Sequence, residues 1–203
     1  MIEIFQELAM LFNKNGFRLY MIGGTSRDYL LNKKIDDIDL VSDATPDEMK
    51  TFLENASYTF ARFGTVRVKY QNQHIDITTL RVEDGYLDFR HPGKIKFVKS
   101  LEEDYARRDF TINAIYIDEN FKIHDFSGGL DDLKNKIIRF IGDPTTRIKE
   151  DPLRILRAIR FQKKLGFSIE ENTLKAIQEN SSLLKELNND KVKEEIRKLE
   201  KEF

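Results

Sequence analysis

Residues 35–40, Ile-Asp-Asp-Ile-Asp-Leu, decide the fold, and they follow residues 23–28, Gly-Gly-Thr-Ser-Arg-Asp, after one short predicted helix. If residues 37–40 form a strand, Asp37 and Asp39 share one face, because successive side chains of a strand alternate. Two carboxylates side by side near a glycine turn are suited to holding Mg2+ against a triphosphate. Asp-x-Asp is a weak signal by itself, and a polar turn before a short edge strand is the simpler alternative.

The composition predicts a soluble globular protein. The 203 residues suffice for one large domain or two small ones, and they are 40% hydrophobic and 34% charged. No apolar run reaches the ~18 residues that a membrane helix needs, and the N-terminus lacks the features of a signal peptide. The sequence contains no cysteine and three scattered histidines. We therefore expect a cytoplasmic protein with no membrane segment and no zinc site, while the oligomeric state stays open.

A basic stripe stands out against the net charge of -1. Phosphate contacts need local positive charge, whatever the net charge of the chain. The stripe favours a nucleotide or nucleic-acid ligand, although a solvated helix face is the commoner cause of such a run. Glu150 and Asp151 oppose its basic residues, which are Arg147, Lys149, Arg154, Arg157, Arg160, Lys163 and Lys164.

Periodicity divides the chain into a mixed part and a helical part, which predicts an α+β protein. Residues 81–94, rich in charge with two glycines and a proline, predict a mobile loop, and residues 125–129 (Asp-Phe-Ser-Gly-Gly) predict a hinge or boundary. After Asp143-Pro144 no strand signal remains. The spacing predicts a helix from residue 4, strands at 17–22, 37–41 and 112–117, a short helix at 25–31, and a hairpin of 63–70 with 74–80.

Glycine at positions 23 and 24 allows backbone N–H groups to approach an anion closely, and the start of a helix adds partial positive charge. Thr25 and Ser26 offer hydroxyl donors to the same place, and Arg27 offers a full charge. Together these residues predict a seat for phosphates, although an ordinary tight turn explains two glycines equally well.

Two further groups extend this chemistry. Asp76, on an alternating strand, is a candidate third carboxylate, and a solvent-facing strand residue is an equal alternative. Residues 104–114 contain the run Arg107-Arg108-Asp109, which could be a local ion-pair cluster. In a ribonucleotide pocket the same residues could bind the ligand, because an aspartate can accept from a ribose hydroxyl and an arginine can contact phosphate.

Asp151 and Arg154 carry the most specific physical prediction. Pro152 fits the first turn of a helix, so Asp151 would cap it, with Arg154 one turn away. A carboxylate only accepts and a guanidinium only donates. Cytosine and adenine each present an amine donor beside a ring-nitrogen acceptor, whereas guanine and uracil present the reverse. The pair would therefore hold C or A. The alternative is that Asp151 only caps the helix and pairs with Arg154 of the same helix.

Four of these motifs, in this order, resemble those of the class II tRNA nucleotidyltransferases, the CCA-adding enzymes, and of their bacterial poly(A) polymerase relatives. The resemblance runs from about Leu19 to the C-terminus. It implies a polymerase-β-type nucleotidyltransferase head in residues 1–137 and an all-helical neck, which selects the nucleobase, in residues 138–203. The matching motifs are Gly23-Gly24-x-x-Arg27-Asp28, Asp37-Ile38-Asp39, residues 107–114 (Arg-Arg-Asp-Phe-Thr-Ile-Asn-Ala) and Glu150-Asp151-x-x-Arg154.

The resemblance also implies roles for single residues. Asp37 and Asp39 match the catalytic, metal-binding pair, and Asp151 and Arg154 match the amino-acid template that chooses C or A. Residues 125–129 resemble the family's hinge. Residues 81–93 resemble the flexible loop linked to addition of the terminal A, which favours CCA or A addition. The other nucleotide-binding positions are Gly24, Arg27, Arg108, Asp109, which would approach the ribose, Arg157 and Arg160.

The function implied by the resemblance is Mg2+-dependent addition of CMP and AMP, from CTP and ATP, to the 3′ end of tRNA. A poly(A) polymerase and an enzyme confined to CC or A addition share these motifs. A non-catalytic nucleotide- or RNA-binding module and a toxin-like nucleotidyltransferase with another acceptor are further alternatives. Family members usually continue into helical body and tail domains, which we expect to be absent here.

Overall fold

The structure is a computed structural model that describes residues 1–86, 92–187 and 189–201. Contacts divide the chain into two compact units. Unit 1 comprises Met1–Glu83, Ile95–Arg107 and Asn113–Ser127, and unit 2 comprises Asp84–Lys94, Arg108–Ile112 and Gly128–Phe203. The division after Ser127 lies inside the predicted boundary at 125–129. A functional boundary after residue 137 stays a prediction.

Short strands and helices alternate along the described residues. The strands are β1 (Leu19–Met21), β2 (Asp39–Ser42), β3 (Ala56–Ser57), β4 (Thr65–Tyr70), β5 (Gln73–Thr79), β6 (Arg81–Tyr86), β7 (Pro92–Phe97), β8 (Ile115–Ile117), β9 (Ile123–Asp125), β10 (Ile137–Ile138) and β11 (Ser168–Ile169). The helices are α1 (Ile2–Lys14), α2 (Gly23–Leu30), α3 (Pro46–Met49), α4 (Leu101–Asp104), α5 (Gly129–Asn135), α6 (Pro144–Glu150), α7 (Leu153–Leu165), α8 (Glu171–Asn180) and α9 (Asn189–Glu200).

Unit 1 is organised around a mixed sheet. In the described residues this sheet has seven strands in the order β3-β4-β5-β2-β1-β8-β9. Strands β2 and β5 pair in parallel, with Asp39 in register with Asp76. The β4–β5 hairpin turns at Gln71 and Asn72, which both have positive φ (45° and 62°). This is the backbone conformation of a two-residue hairpin turn whose twist matches the twist of the two strands it joins. The predicted α+β class and this hairpin are confirmed.

The two faces of the sheet are covered differently. On one face the apolar stripe of α1, including Phe5 and Leu8, packs with Leu40, Ile75 and Ile77 in the main core. Burying one such side chain contributes about 1.5–3 kcal/mol. On the other face a smaller cluster, which includes Val41 and Leu80, covers part of the sheet. The carboxylate of Asp39 lies on this second face, because it alternates with buried Leu40.

Unit 2 is mainly helical and binds the segment 108–112 to its own framework. Phe110 stacks on Phe140 with ring centroids 4.8 Å apart, and Phe161 of α7 meets Phe110 edge-on at 5.4 Å. The backbone N–H of Ile141 donates to the carbonyl of Asp109 at 2.9 Å. These contacts fix the backbone on which Asp109 is carried.

Four sequence predictions need correction. Residues 81–94 are not simply a loop, because β6 and β7 form a two-stranded sheet; residues 87–91 lie outside the described residues. The helical part contains β11, which pairs in parallel with β10. Strand β2 begins at Asp39 rather than Asp37. Of the predicted strand 112–117, Ile115–Ile117 is extended and Thr111–Asn113 is a 3-10 turn.

No helix within the described ranges is both long enough and apolar enough to cross a membrane.

Candidate functional site

The two acidic residues of the opening motif lie at the start of β2 in unit 1. Asp37 precedes the strand and Asp39 is its first residue; both are exposed, whereas Ile38 and Leu40 are buried. The predicted alternation of exposed and buried side chains is therefore present from Asp37 onwards, although the strand itself begins only at Asp39. The arrangement turns two carboxylates to the solvent while the residues between and after them anchor the segment in the core.

The glycine turn runs directly against the Asp39 carboxylate. Gly23 has φ +64°, a left-handed conformation, and a Cβ built on it would lie 3.2 Å from Asp39 Oδ2. A Cβ on Gly24 would lie 3.9 Å from the same oxygen. Glycine is needed at position 23 for both reasons, since a side chain there would strain the backbone and press on the carboxylate. The turn begins helix α2, whose first turn contains both glycines.

Thr25 clamps the acidic segment. Its buried hydroxyl donates to the carbonyl of Asp37 at 3.1 Å and accepts from the backbone N–H of Asp39 at 2.7 Å. Ser26 donates to the carbonyl of Gly23 at 3.3 Å and is fully buried. The prediction that these two hydroxyls serve phosphates is therefore replaced by an internal role, because both hydroxyls are buried and already bond to backbone groups of the protein.

We expect Thr25→Val to reduce the predicted nucleotide transfer by roughly 10- to 100-fold, because the Asp37 carbonyl and the Asp39 N–H lose their shared partner, at about 1 kcal/mol for each hydrogen bond, and the carboxylates lose their fixed position. Thr25→Ser keeps the hydroxyl and should retain most of the rate. Single-turnover transfer rates of the two variants measure the effect, and circular dichroism verifies the fold. Equal rates in both variants would rule out the clamp.

Arg27 is held in unit 1 by Asp28 and Asn113, among other contacts. It is 2% exposed, and its guanidinium donates to Asp28 Oδ1 at 2.8 Å and to Asn113 Oδ1 at 2.9 Å. These bonds connect the glycine motif with the end of the 107–114 motif. Contact of Gly24 and Arg27 with a nucleotide stays a prediction.

Asp76 lies beside Asp39 on the neighbouring parallel strand. Register partners in a sheet share a face, so both carboxylates point to the same side. Asp76 is bound by Arg67, whose Nε and Nη2 each reach one carboxylate oxygen at 2.7 Å. The carboxylate therefore already has a protein partner, and its role as a third catalytic group stays a prediction.

The carboxylates of Asp37 and Asp39 in unit 1 fit Mg2+ if a ligand supplies further oxygen atoms to the metal. Asp37 and Asp39 supply exposed carboxylate oxygens, the donors that Mg2+ prefers. Across the described residues, no cluster of three or more His, Cys, Asp or Glu side chains is arranged to hold a metal ion. Mg2+ commonly takes one or two carboxylates together with phosphate oxygens and water. The two carboxylates therefore fit a metal that arrives with a triphosphate, and binding of Mg2+ here stays a prediction.

In unit 2, Asp109 forms a close ion pair with Arg157 of α7. Arg157 Nε lies 2.8 Å from Asp109 Oδ2, and the other oxygen accepts from the backbone N–H of Phe110 at 2.8 Å. Burial by itself would raise the pKa of the Asp109 carboxyl, but Arg157 and then Arg154 outweigh burial and hold the pKa below its usual value. Asp109 thereby raises the pKa of the Arg157 guanidinium.

We expect Arg157→Met to lower the free energy of unfolding at pH 7 by about 2 kcal/mol, less than the ~3–5 kcal/mol of a fully buried pair, because the Arg157 side chain is 34% exposed. The pKa of Asp109 is lowered in the folded protein, so its contribution exists above the unfolded value of about 3.9 and is lost as pH falls through the folded pKa. Without Arg157, only Arg154 and the Phe110 N–H still oppose the effect of burial, so we expect the pKa of Asp109 to rise.

The difference between wild type and Arg157→Met should therefore shrink below about pH 4. Urea unfolding from pH 7 to pH 3 measures it, with the exposed Lys175→Met on α8 as the matched control. A difference that stays constant over this range would contradict the proposed pairing.

Asp151 and Arg154 flank the start of α7. The prediction that Asp151 is the N-cap was off by one residue, because α7 begins at Leu153 and Pro152 is its N-cap. Asp151 Oδ1 nevertheless accepts from the backbone N–H of Leu153 at 3.0 Å. Arg154 is 6% exposed, and its Nη1 donates to Glu150 Oε2 at 2.6 Å and to the carbonyl of Arg147 at 2.7 Å. Sequence reasoning missed Glu150 and Arg147 as supports of Arg154, although the spacing of four residues between Glu150 and Arg154 is a recognisable pairing signal.

The remaining predicted residues of unit 2 lie along the same elements. Arg147 Nη2 donates to the carbonyl of Arg108, which ties the 107–114 motif to α6. Arg160 lies over the ring of Phe161 at 4.6 Å and pairs with Glu195 of α9 at 3.3 Å. Unit 2 thus brings Arg108, Asp109, Asp151, Arg154, Arg157 and Arg160 into one framework, while unit 1 carries Gly24, Arg27, Asp37 and Asp39.

Residues 19–139 match the family described as the Poly A polymerase head domain, and residues 166–199 match one described as a probable RNA and SrmB-binding site of polymerase A. The chain belongs to the Poly A polymerase head-domain family. The CCA-adding enzyme of Lactobacillus helveticus is 45% identical over 184 residues, which are 91% of this chain and 46% of that protein.

Two solved structures show the likeness in three dimensions. The Bacillus stearothermophilus CCA-adding enzyme in complex with CTP has a TM-score of 0.89 and 33% identity, over 98% of this chain and 48% of that one. A tRNA nucleotidyltransferase complexed with a primer tRNA and an incoming ATP analog has a TM-score of 0.75 and 34% identity, over 97% and 55%. The chain spans about half the length of the relatives it matches.

These matches confirm the resemblance to the CCA-adding and poly(A) polymerase family that the motifs indicated. They assign no role to single residues of this chain. The roles of the predicted metal-binding and nucleotide-binding residues therefore stay predictions.

Proposed function

We propose that this chain carries the nucleotidyl-transfer centre and the base-selecting element of an enzyme that adds CMP and AMP, from CTP and ATP, to the 3′ end of tRNA. The observation that carries the proposal is the exposed Asp37–Asp39 pair, which Thr25 clamps against the glycine turn. Its support from relatives is that the Lactobacillus helveticus protein is a CCA-adding enzyme and that solved relatives bind CTP or a primer tRNA with an ATP analog.

In the transfer step, the 3′-hydroxyl oxygen of the RNA attacks the α-phosphorus of the nucleotide, the hydroxyl proton leaves to solvent, and pyrophosphate departs. Asp37 and Asp39 would hold Mg2+, which when bound polarises the hydroxyl and offsets the charge on the leaving group. The glycine turn leaves room for a phosphate beside Asp39 because positions 23 and 24 have no side chains. Catalysis of this kind depends on fixed positions and charge rather than on a proton relay.

In base selection, Asp151 would accept from the exocyclic amine of cytosine or adenine, and Arg154 would donate to the adjacent ring nitrogen. Glu150, the last residue of α6, holds Arg154 by accepting from its guanidinium at 2.6 Å. A rigid pair of one acceptor and one donor penalises uracil and guanine, because each wrong base leaves buried polar groups unpaired.

A poly(A) polymerase is the second candidate, because the matched family is described by that activity. The two are distinguished by incubating the chain with Mg2+, a tRNA lacking its CCA end, and CTP, ATP or both, followed by a sequencing gel. CCA addition predicts two added residues with CTP alone and three with both nucleotides. Long A tracts with ATP favour the polymerase, and no addition with any nucleotide contradicts both activities.

A further inference from the structure

Strands β4 and β5 present a basic strip on the face of the sheet that carries Asp39. The strip consists of Arg67, Lys69 and His74, all exposed. Arg67 is paired across the hairpin with Asp76, and Lys69 with His74. Asp76 is in turn the register partner of Asp39 on β2. One row of side chains therefore runs from Asp39 through Asp76 to Arg67, and the next row along β4 and β5 contains Lys69 and His74.

The strip lies outside both hydrophobic clusters of unit 1. The alternating residues Val66, Val68, Ile75 and Ile77 point into the core beneath α1. The cluster on the opposite face contains Val41 and Leu80, which lie towards the other end of the strands from Lys69 and His74. The end of the sheet that carries the strip is thus covered by polar and charged side chains.

The charge of the strip is positive although Asp76 belongs to the same row. Asp76 takes two of the five N–H donors of the Arg67 guanidinium. This ion pair fixes the orientation of Arg67, whose side chain is 48% exposed. Lys69 and His74 add further donors, and Lys69 adds a full charge. An oriented guanidinium beside a lysine and a further hydrogen-bond donor is suited to successive phosphates rather than to an apolar partner.

The hairpin that carries the strip is held in place at its tip. Tyr70 Oη donates to Glu7 Oε2 at 2.6 Å, and Gln71 Nε2 donates to the same oxygen at 3.0 Å. Glu7 belongs to α1, which packs on the opposite face. The backbone that carries the strip is therefore already ordered, so binding a ligand there would cost little additional conformational entropy.

We propose that the basic strip binds the sugar-phosphate backbone of the single-stranded 3′ end of the RNA that is extended, and leads it along the sheet towards Asp39. The inference rests on the proposed function for the identity of the ligand. Arg67 and Lys69 contact phosphates, and His74 adds a hydrogen bond. The contacts are with the backbone, so they place the RNA without reading its sequence.

The first test is the salt dependence of binding of a fluorescent single-stranded RNA of about a dozen nucleotides. Removing one phosphate contact lowers the slope of log K against log salt by ~0.7, which weakens binding about five-fold at ~0.1 M salt. Lys69→Ala should show this change and Lys69→Glu a larger one. The matched control is Lys14→Ala on α1, an exposed lysine on the helix that covers the opposite face.

The second test uses the absence of cysteine from the sequence. Lys69→Cys and Lys14→Cys each carry one exposed thiol, and an RNA with an activated disulfide tether on a phosphate near its 3′ end exchanges with a thiol that lies close to it. We expect rapid adduct formation at position 69 and only background at position 14. A misfolded variant would react only at the background rate, so a faster rate at position 69 than at position 14 reports that the RNA lies close to position 69.

The outcomes separate this inference from the proposed function. Unchanged salt slopes for both Lys69 variants, or equal adduct formation at positions 69 and 14, would overturn the basic strip even if the wild-type chain transfers nucleotides. A wild-type chain that transfers none, but whose Lys69 variants lose RNA affinity as stated, would overturn the proposed function and leave the strip. CTP affinity should stay within about two-fold in Lys69→Ala, because the lost contact is to RNA phosphate.

Discussion

Asp39→Asn is expected to abolish nucleotide transfer while leaving the fold intact. Asparagine has nearly the same shape, so the backbone bond from Asp39 N–H to Thr25 persists. The charge that would hold Mg2+ and the triphosphate is lost. We expect a fall in the single-turnover rate of roughly 1000-fold or more, in line with the loss of a principal electrostatic group at a transfer centre.

The matched control for this prediction is Asp36→Asn. Asp36 is exposed and three residues from Asp39, and it pairs with Lys34 at the surface at 3.1 Å. Its neutralisation should change the rate by less than about two-fold, since an exposed pair contributes little. A rate for Asp39→Asn within ten-fold of wild type would remove these carboxylates from the chemistry.

Asp151→Asn is expected to weaken discrimination between bases without disrupting the start of α7. The asparagine oxygen can still accept from the Leu153 N–H, as Asp151 Oδ1 does at 3.0 Å. Its amide nitrogen, however, can donate to uracil or guanine, which a carboxylate cannot. We expect the preference for CTP over UTP, as a ratio of kcat/KM, to fall roughly 10- to 100-fold, the value of one hydrogen bond to a charged group.

Asp143→Asn provides the control for Asp151→Asn, because Asp143 is another aspartate of unit 2 that accepts from a backbone N–H at the start of a helix, that of Thr146 at 2.7 Å. Its base preference should equal that of wild type. If Asp151→Asn rejects UTP and GTP as strictly as wild type does, base selection does not depend on the Asp151 carboxylate.

The sequence predicted those parts of the fold and site that depend on local periodicity. Alternation of period two correctly separated Asp37 and Asp39 from Ile38 and Leu40, because burial on one face is a local pattern. The β4–β5 hairpin followed from two alternating runs around a polar turn. The start of α7 was predicted from Pro152 to within one residue, since Pro152 is the N-cap and the helix begins at Leu153.

The remaining features depend on contacts between distant residues. The Thr25 clamp joins positions 14 residues apart, and the Asp109–Arg157 pair joins positions 48 apart. No local pattern shows that a hydroxyl predicted for phosphate is used by the backbone of Asp37 and Asp39. Likewise, β6 and β7 form because they pair with each other, although their residues have the composition of a loop.

The most direct test of the central claim is the intact mass of a tRNA lacking its CCA end after incubation with the wild-type chain, Mg2+, CTP and ATP, beside an identical reaction with Asp39→Asn. The claim predicts a product longer by two CMP and one AMP with the wild-type chain and an unchanged tRNA with the variant. An unchanged mass with the wild-type chain at high concentration, or equal products from both proteins, would contradict it.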